Sequence, residues 1–172
     1  DIKELPKLDY FLKNKLDMIA LSFVNSAEQI EKAKEKTNQA FIIAKIETVA
    51  GVQNIDSIIS ATDGIMIARG DLSEAETIEK IPVLQKDLTR KALASGKFLI
   101  TATEMLLSMV ENPKPTIAEI SDVSNAVFDG SNAVMLSEET AIGKYPVEAV
   151  SLMRRAIQEA EKWLNHDRLG HI

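Results

Sequence analysis

The chain has 172 residues, 45% hydrophobic and 27% charged, the balance of a soluble globular chain long enough to bury roughly two-thirds of its unfolded surface. A formal net charge of −6 supplies no basic face for phosphates and argues against a nucleic-acid partner. No cysteine is present, which excludes a disulfide framework and a thiolate metal site.

In chain order, short apolar runs rich in β-branched residues alternate with longer segments of helical period. The first expected strand is Asp17–Val24, followed by a helix over Ala27–Lys36 that Ser26 can cap. Strand Phe41–Ile46 and helix Ile55–Ala61 come next, then strand Gly64–Ala68 and a helix over Glu79–Ala94 with Pro82 near its start. Strand Phe98–Thr103, helix Ala118–Phe128, strand Ala133–Ser137 and a final helix from about Val147 to Leu164 complete the series. Gly96 and Gly130 each follow a helix in the position glycine favours. The strands are nearly all apolar, as strands covered on both faces are, and the pattern is that of about five βα units with a parallel sheet.

No apolar run reaches the roughly 20 residues of a membrane span, and Asp1-Ile2-Lys3-Glu4 does not read as a signal peptide. A cytoplasmic location is expected. An opening Asp in place of Met is what a fragment, a processed chain or a chain trimmed to its ordered residues would give. The 7 Gly and 5 Pro are isolated, so the chain reads as continuously folded.

A doubly wound sheet would carry a glycine-rich phosphate turn after an early strand, and none is present. Polar residues gather instead at the C-terminal strand ends: Lys45 and Glu47, Arg69 and Asp71, Thr103 and Glu104, Ser137 and Glu139. In a (βα)8 TIM barrel those ends form the rim that holds active sites. The expected fold is therefore α/β, a partial (βα)8 barrel. Its two unpaired sheet edges call for a complementing barrel fragment or a homo-oligomer.

Lys45 and Glu47 are two apart, so a strand points both to one face. On a barrel rim the ammonium could neutralise a transferring phosphoryl group and the carboxylate could ligate a hard divalent cation. A structural ion pair or a solvated strand end would give the same spacing. Arg69-Gly70-Asp71 reads as a turn in which Gly70 lets backbone N–H groups approach an anion and Asp71 supplies a second oxygen ligand; a lone Asp in a turn is more often a turn former or cap. Thr103 could bind a carboxylate oxygen or relay a proton, although threonine is common in strands for its shape. Met105 and Met109 read as core filling on a short helix, and Thr116 with Glu119 as a capping box. Ser137, with Glu138 and Glu139 beside it, is ambiguous alone. His166 and His171 read as solvated tail residues, and Trp163 as packing for the last helix.

Together these stretches resemble pyruvate kinase, from Asp17-Met18-Ile19-Ala20-Leu21-Ser22-Phe23-Val24 to Gly143-Lys144-Tyr145-Pro146-Val147-Glu148-Ala149-Val150. The most specific are Ala44-Lys45-Ile46-Glu47, Asp63 through Leu72, and Ser121-Asp122-Val123 through Asp129-Gly130. The resemblance implies that residues 1–172 are the C-terminal portion of the catalytic barrel, with the lid and regulatory domains absent. It implies phosphoryl transfer from phosphoenolpyruvate to ADP, giving pyruvate and ATP in glycolysis, with weak or no turnover from this chain alone. By the same resemblance Lys45 stabilises the phosphoryl group, Glu47 and Asp71 hold Mg2+ or Mn2+, and Gly70, Asp71 and Thr103 contact the substrate carboxylate. Thr103 and Ser137 would serve the enolate proton transfer, and the family's K+ ligands fall outside this chain. The sequence departs from the family at Ala50, Ile117, Ser73-Glu74-Ala75-Glu76-Thr77 and Glu138, where a carboxylate in place of glycine is expected to strain the turn or repel a phosphate. A metal-dependent pyruvate or phosphoenolpyruvate lyase or decarboxylase, and a non-catalytic half-barrel that oligomerises, are the other readings these residues allow.

Overall fold

Alternating apolar runs become strands separated by helices in the computed structural model, which describes residues 17–169. Strand β1 (Met18–Leu21) is followed by α1 (Ala27–Lys36), β2 (Phe41–Ile46), α2 (Val49–Gln53), α3 (Ile55–Ala61) and β3 (Gly64–Ala68). Next come α4 (Arg69–Ala75), a 3₁₀ turn at Ile78–Lys80, α5 (Ile81–Ala94) and β4 (Phe98–Ala102). A second 3₁₀ turn at Leu107–Val110 leads to α6 (Ile117–Phe128), β5 (Ala133–Met135), α7 (Glu138–Ala141) and α8 (Pro146–Leu169). The five strands lie in one sheet in sequence order, and the pairings of β1 with β2, β2 with β3 and β4 with β5 are parallel. This is the expected α/β arrangement, with five strands among the described residues where a closed barrel of this kind uses eight. Among the described residues no helix is long and apolar enough to cross a membrane.

The chain divides into two compact units, residues 1–99 and 100–172. In the first, every residue of β3 is buried, and Ile42, Ala44 and Ile46 of β2 join Ile65 and Ile67 in the core. Helix α3 meets that core through Ile55, Ile58 and Ile59, and α5 through Ile81, Leu88 and Ala92, the spacing of one helical face. Helix α1 starts where the Gln29 carboxamide accepts from the N–H groups of Asn25 (2.6 Å) and Ser26 (3.1 Å). Gly64 is required by close approach, since a Cβ there would lie 2.7 Å from the Phe98 carbonyl oxygen. Asp63, just before β3, accepts from the Ile42 N–H and from Lys34 Nζ, both at 2.8 Å. Burial pushes its carboxyl upward, but the Ile42 N–H with Lys34 and Lys97 outweighs burial and holds it below the ordinary carboxylate range.

The second unit has a core of Met105, Leu106, Met109, Val123, Ala126, Ala149 and Met153. Met105 and Met109 thus fill the core as the sequence suggests. The expected capping box opens α6: the Glu119 N–H donates to Thr116 Oγ1 at 3.2 Å and Glu119 Oε2 accepts from the Thr116 N–H at 2.7 Å. Glu119 also accepts from the Ser108 N–H and hydroxyl, both at 2.6 Å. Burial raises its carboxyl, and the donations from Ser108 and Thr116 together bring it below its ordinary value.

Helices Ala27–Lys36 and Ile55–Ala61 and strands Phe41–Ile46 and Gly64–Ala68 have the expected bounds. Gly96 and Gly130 have φ of 65° and 96°, as helix-ending glycines do. Three strands end earlier than expected, for local reasons. The chain leaves β1 where Phe23 takes φ 54°, leaves β4 where Thr103 and Glu104 take 69° and 53°, and leaves β5 where Ser137 becomes the N-cap of α7. Arg69-Gly70-Asp71 is the first turn of helix α4 in place of the expected loop turn; glycine at its second position disguises it. Helices α2 and α7 are further additions, α2 beginning where Thr48 Oγ1 accepts from the Gly51 N–H at 3.0 Å. The strain expected at Glu138 is not found: it is exposed at the start of α7 and is not among the residues with positive φ. Trp163 is 56% exposed, with its ring 5.2 Å from that of Phe128, so it packs α8 only in part. His166 is exposed, and His171 lies outside the described residues.

Candidate active site

The parallel register of Lys45 with Met66 and Ile46 with Ile67 sets the C-terminal ends of β2 and β3 side by side. Lys45 and Glu47 share a face there, as their spacing requires, and Lys45 Nζ lies 2.7 Å from Glu47 Oε1. The Glu47 carboxylate is almost fully covered, at 2% exposure, while Lys45 stays partly open. Glu47 Oε2 accepts from the Phe23 N–H at 2.5 Å, and Lys45 Nζ donates to Ser22 Oγ at 3.0 Å. A carboxylate taken out of water needs such partners, because an unpaired buried charge is costly.

Gly70 and Asp71 follow β3 in the first turn of α4, both half-buried. Neighbouring strand ends therefore carry Glu47 and Asp71, oxygen donors of the type a small hard divalent cation takes. Among the described residues no group of three or more His, Cys, Asp and Glu gathers to hold a metal. Mg2+ is commonly held by one or two carboxylates with water and substrate oxygens completing its shell. Arg69 behaves differently from its neighbours: it is buried, and its Nη1 donates to Gln85 Oε1 of α5 at 3.4 Å.

The second unit carries the other two candidates. Thr103 directly follows β4 at φ 69°, with Oγ1 donating to the Ala102 carbonyl at 2.6 Å. A β-branched residue in the left-handed region is a true outlier, costing on the order of 1–3 kcal/mol and found most often at functional sites. Ser137 is half-buried between β5 and α7, and its N–H donates to Glu139 Oε2 at 2.8 Å. Glu139, at 1% exposure, also accepts from the Leu106 N–H at 2.8 Å. Neither the Ser22-Phe23 contacts nor the anchoring role of Glu139 is apparent from sequence. The acid two residues after Ser137 is a usable signal for Glu139, whereas nothing about a phenylalanine announces a left-handed backbone.

The model of the family described as pyruvate kinase, barrel domain, matches residues 2–150. A pyruvate kinase of Chlamydia muridarum is 51% identical over 166 residues, covering 93% of this chain and 34% of the relative. Relatives of the same name from Leishmania mexicana and Clostridium acetobutylicum are 50% and 44% identical, over 95% and 96% of this chain. The chain spans about a third of the length of these curated relatives. With a family match running through both units and over every candidate site residue from Lys45 to Ser137, the chain belongs to the pyruvate kinase family, as part of its barrel domain.

Proposed function

We propose that this chain supplies one side of a site that transfers phosphoryl from phosphoenolpyruvate to ADP and then protonates the enolpyruvate released. The observation that carries the proposal is the Lys45–Glu47 pair, a buried carboxylate joined to a partly open ammonium at a strand end. Lys45 is held through Ser22 and Glu47 with its side chain partly open, so its charge is available to an incoming phosphoryl group. There it offsets the negative charge spread over the transferring oxygens.

Glu47 and Asp71 would hold Mg2+ or Mn2+, which when bound supplies further positive charge to the phosphate and carboxylate oxygens of the substrate. Gly70, lacking a side chain, lets the substrate carboxylate come close to the backbone at the start of α4. Thr103, whose hydroxyl donates to the Ala102 carbonyl, and Ser137 are the hydroxyls assigned here to passing the proton to the enol carbon. Phosphoenolpyruvate and ADP are thus the expected small-molecule partners, and the further barrel strands the expected macromolecular ones.

The test is a chimaera in which this chain replaces the matching third of the Chlamydia muridarum relative. Pyruvate release from phosphoenolpyruvate and ADP with Mg2+ and K+ is expected, falling by roughly 10³-fold or more in Lys45→Met, as for loss of a group acting on transition-state charge. A folded chimaera without release, or release indifferent to Lys45, would refute the proposal.

A further inference from the structure

Four consecutive residues after β1 engage residues around the end of β2. Ser22 Oγ accepts from Lys45 Nζ at 3.0 Å, the Phe23 N–H donates to Glu47 Oε2 at 2.5 Å, and the Val24 N–H donates to the Lys45 carbonyl at 3.4 Å. Asn25 Oδ1 then accepts from Thr48 Oγ1. Val24 and the start of α1 root this hook in the core, since Val24 is buried and Ile30 belongs to the same cluster.

Phe23 is the unusual member. Its side chain is 55% exposed and contributes nothing to the core cluster, yet its backbone sits at φ 54°, where a bulky residue is disfavoured. Hydrophobic burial therefore does not account for the conformation. The polar contacts do: the left-handed turn aims the Phe23 N–H at the buried Glu47 carboxylate while Ser22 remains beside the Lys45 ammonium.

We infer that Ser22 and Phe23 are positioning residues for the Lys45–Glu47 pair, Ser22 holding the ammonium through its hydroxyl and Phe23 holding the carboxylate through its N–H. The inference rests on the proposed role of that pair. Oxygen ligands and charged catalytic groups work best when outer contacts fix their orientation before the ligand arrives. The two arms of the hook act on different groups. The Phe23 contact governs the carboxylate offered to a cation, and the Ser22 contact governs the ammonium offered to a phosphoryl group.

Mn2+ titration of the full chain tests the Phe23 arm. Isoleucine resists positive φ and glycine accepts it, so Phe23→Ile should bind Mn2+ about tenfold more weakly than Phe23→Gly, the low end for loss of an outer contact to a metal ligand. If Phe23→Ile is unfolded under the conditions of the titration, Phe23→Ala, with a smaller penalty at positive φ, replaces it in the comparison. In the chimaera, Ser22→Ala should lower kcat by about tenfold with little change in Mn2+ affinity, and Ser22→Thr should restore it. Equal Mn2+ affinity in folded Phe23 variants, or a Ser22→Ala kcat equal to that of the parent, would overturn the inference while the proposed function stands. A parent chain that binds no Mn2+ would overturn the Phe23 arm, whereas a folded chimaera that releases no pyruvate would overturn the proposed function itself.

Discussion

Glu47 in the first unit and Glu139 in the second are both carboxylates just past a strand end, and both are almost completely buried. Their partners separate them. Glu139 spends its two oxygens on the backbone N–H groups of Leu106 and Ser137, whereas Glu47 divides its oxygens between the Phe23 N–H and the Lys45 ammonium. Backbone donors cannot be redirected without moving the chain; a lysine can turn to a ligand. If Glu47 has the role proposed for it, burial alone does not distinguish a structural acid from a functional one, and a partner that can turn does.

The largest expected effect is at Glu139. Replacement by Ala orphans two covered donors at roughly 1–3 kcal/mol each, so urea unfolding should report a loss of about 2–6 kcal/mol. Gly64→Ala comes next, because its Cβ would press on the Phe98 carbonyl; a loss of about 1–3 kcal/mol is expected from overpacking.

Acid provides a comparison that touches both units. Asp63 and Glu119 are each held below the ordinary carboxylate range in the folded chain. Their stabilisation is therefore complete above the unfolded values and disappears as pH falls from about 4 through the lowered folded values. Lys34→Met removes one of the groups that lower Asp63, so the acid limb of a stability profile should flatten in that variant. Thr116→Ala, which deletes the α6 cap, should cost about 1 kcal/mol by thermal or urea unfolding. Glu47→Gln should change stability least, by under about 1 kcal/mol, since Gln still accepts from the Phe23 N–H and Lys45 remains partly solvated.

The fold was legible where a single signal dominated. The near-continuous apolar runs of β2 and β3 follow from two-sided burial, and α1, α3 and α6 from helical periodicity, with polar starts at Ser26 and Thr116. Helices α2 and α4 escaped because glycine within them, at Gly51 and Gly70, lowers their intrinsic propensity and tertiary packing makes up the difference. At the candidate site, period two sufficed to put Lys45 and Glu47 on one face. The left-handed backbones of Phe23 and Thr103 had no local cause to read: Phe and Thr both disfavour that conformation, and contacts distant in sequence impose the first of them. Glu139 was visible as an acid at a strand end, but its commitment to Leu106 spans 33 positions and emerges only on folding.

The most direct test of the role proposed for Glu47 is Mn2+ titration of the chain beside Glu47→Gln, Asp71→Asn and Glu104→Gln. Saturable binding that Mg2+ displaces is predicted, weakened about 10-fold or more in the first two variants, which lose ligands, and unaltered in the third, whose carboxylate is exposed. Equal binding in all four proteins would contradict the account.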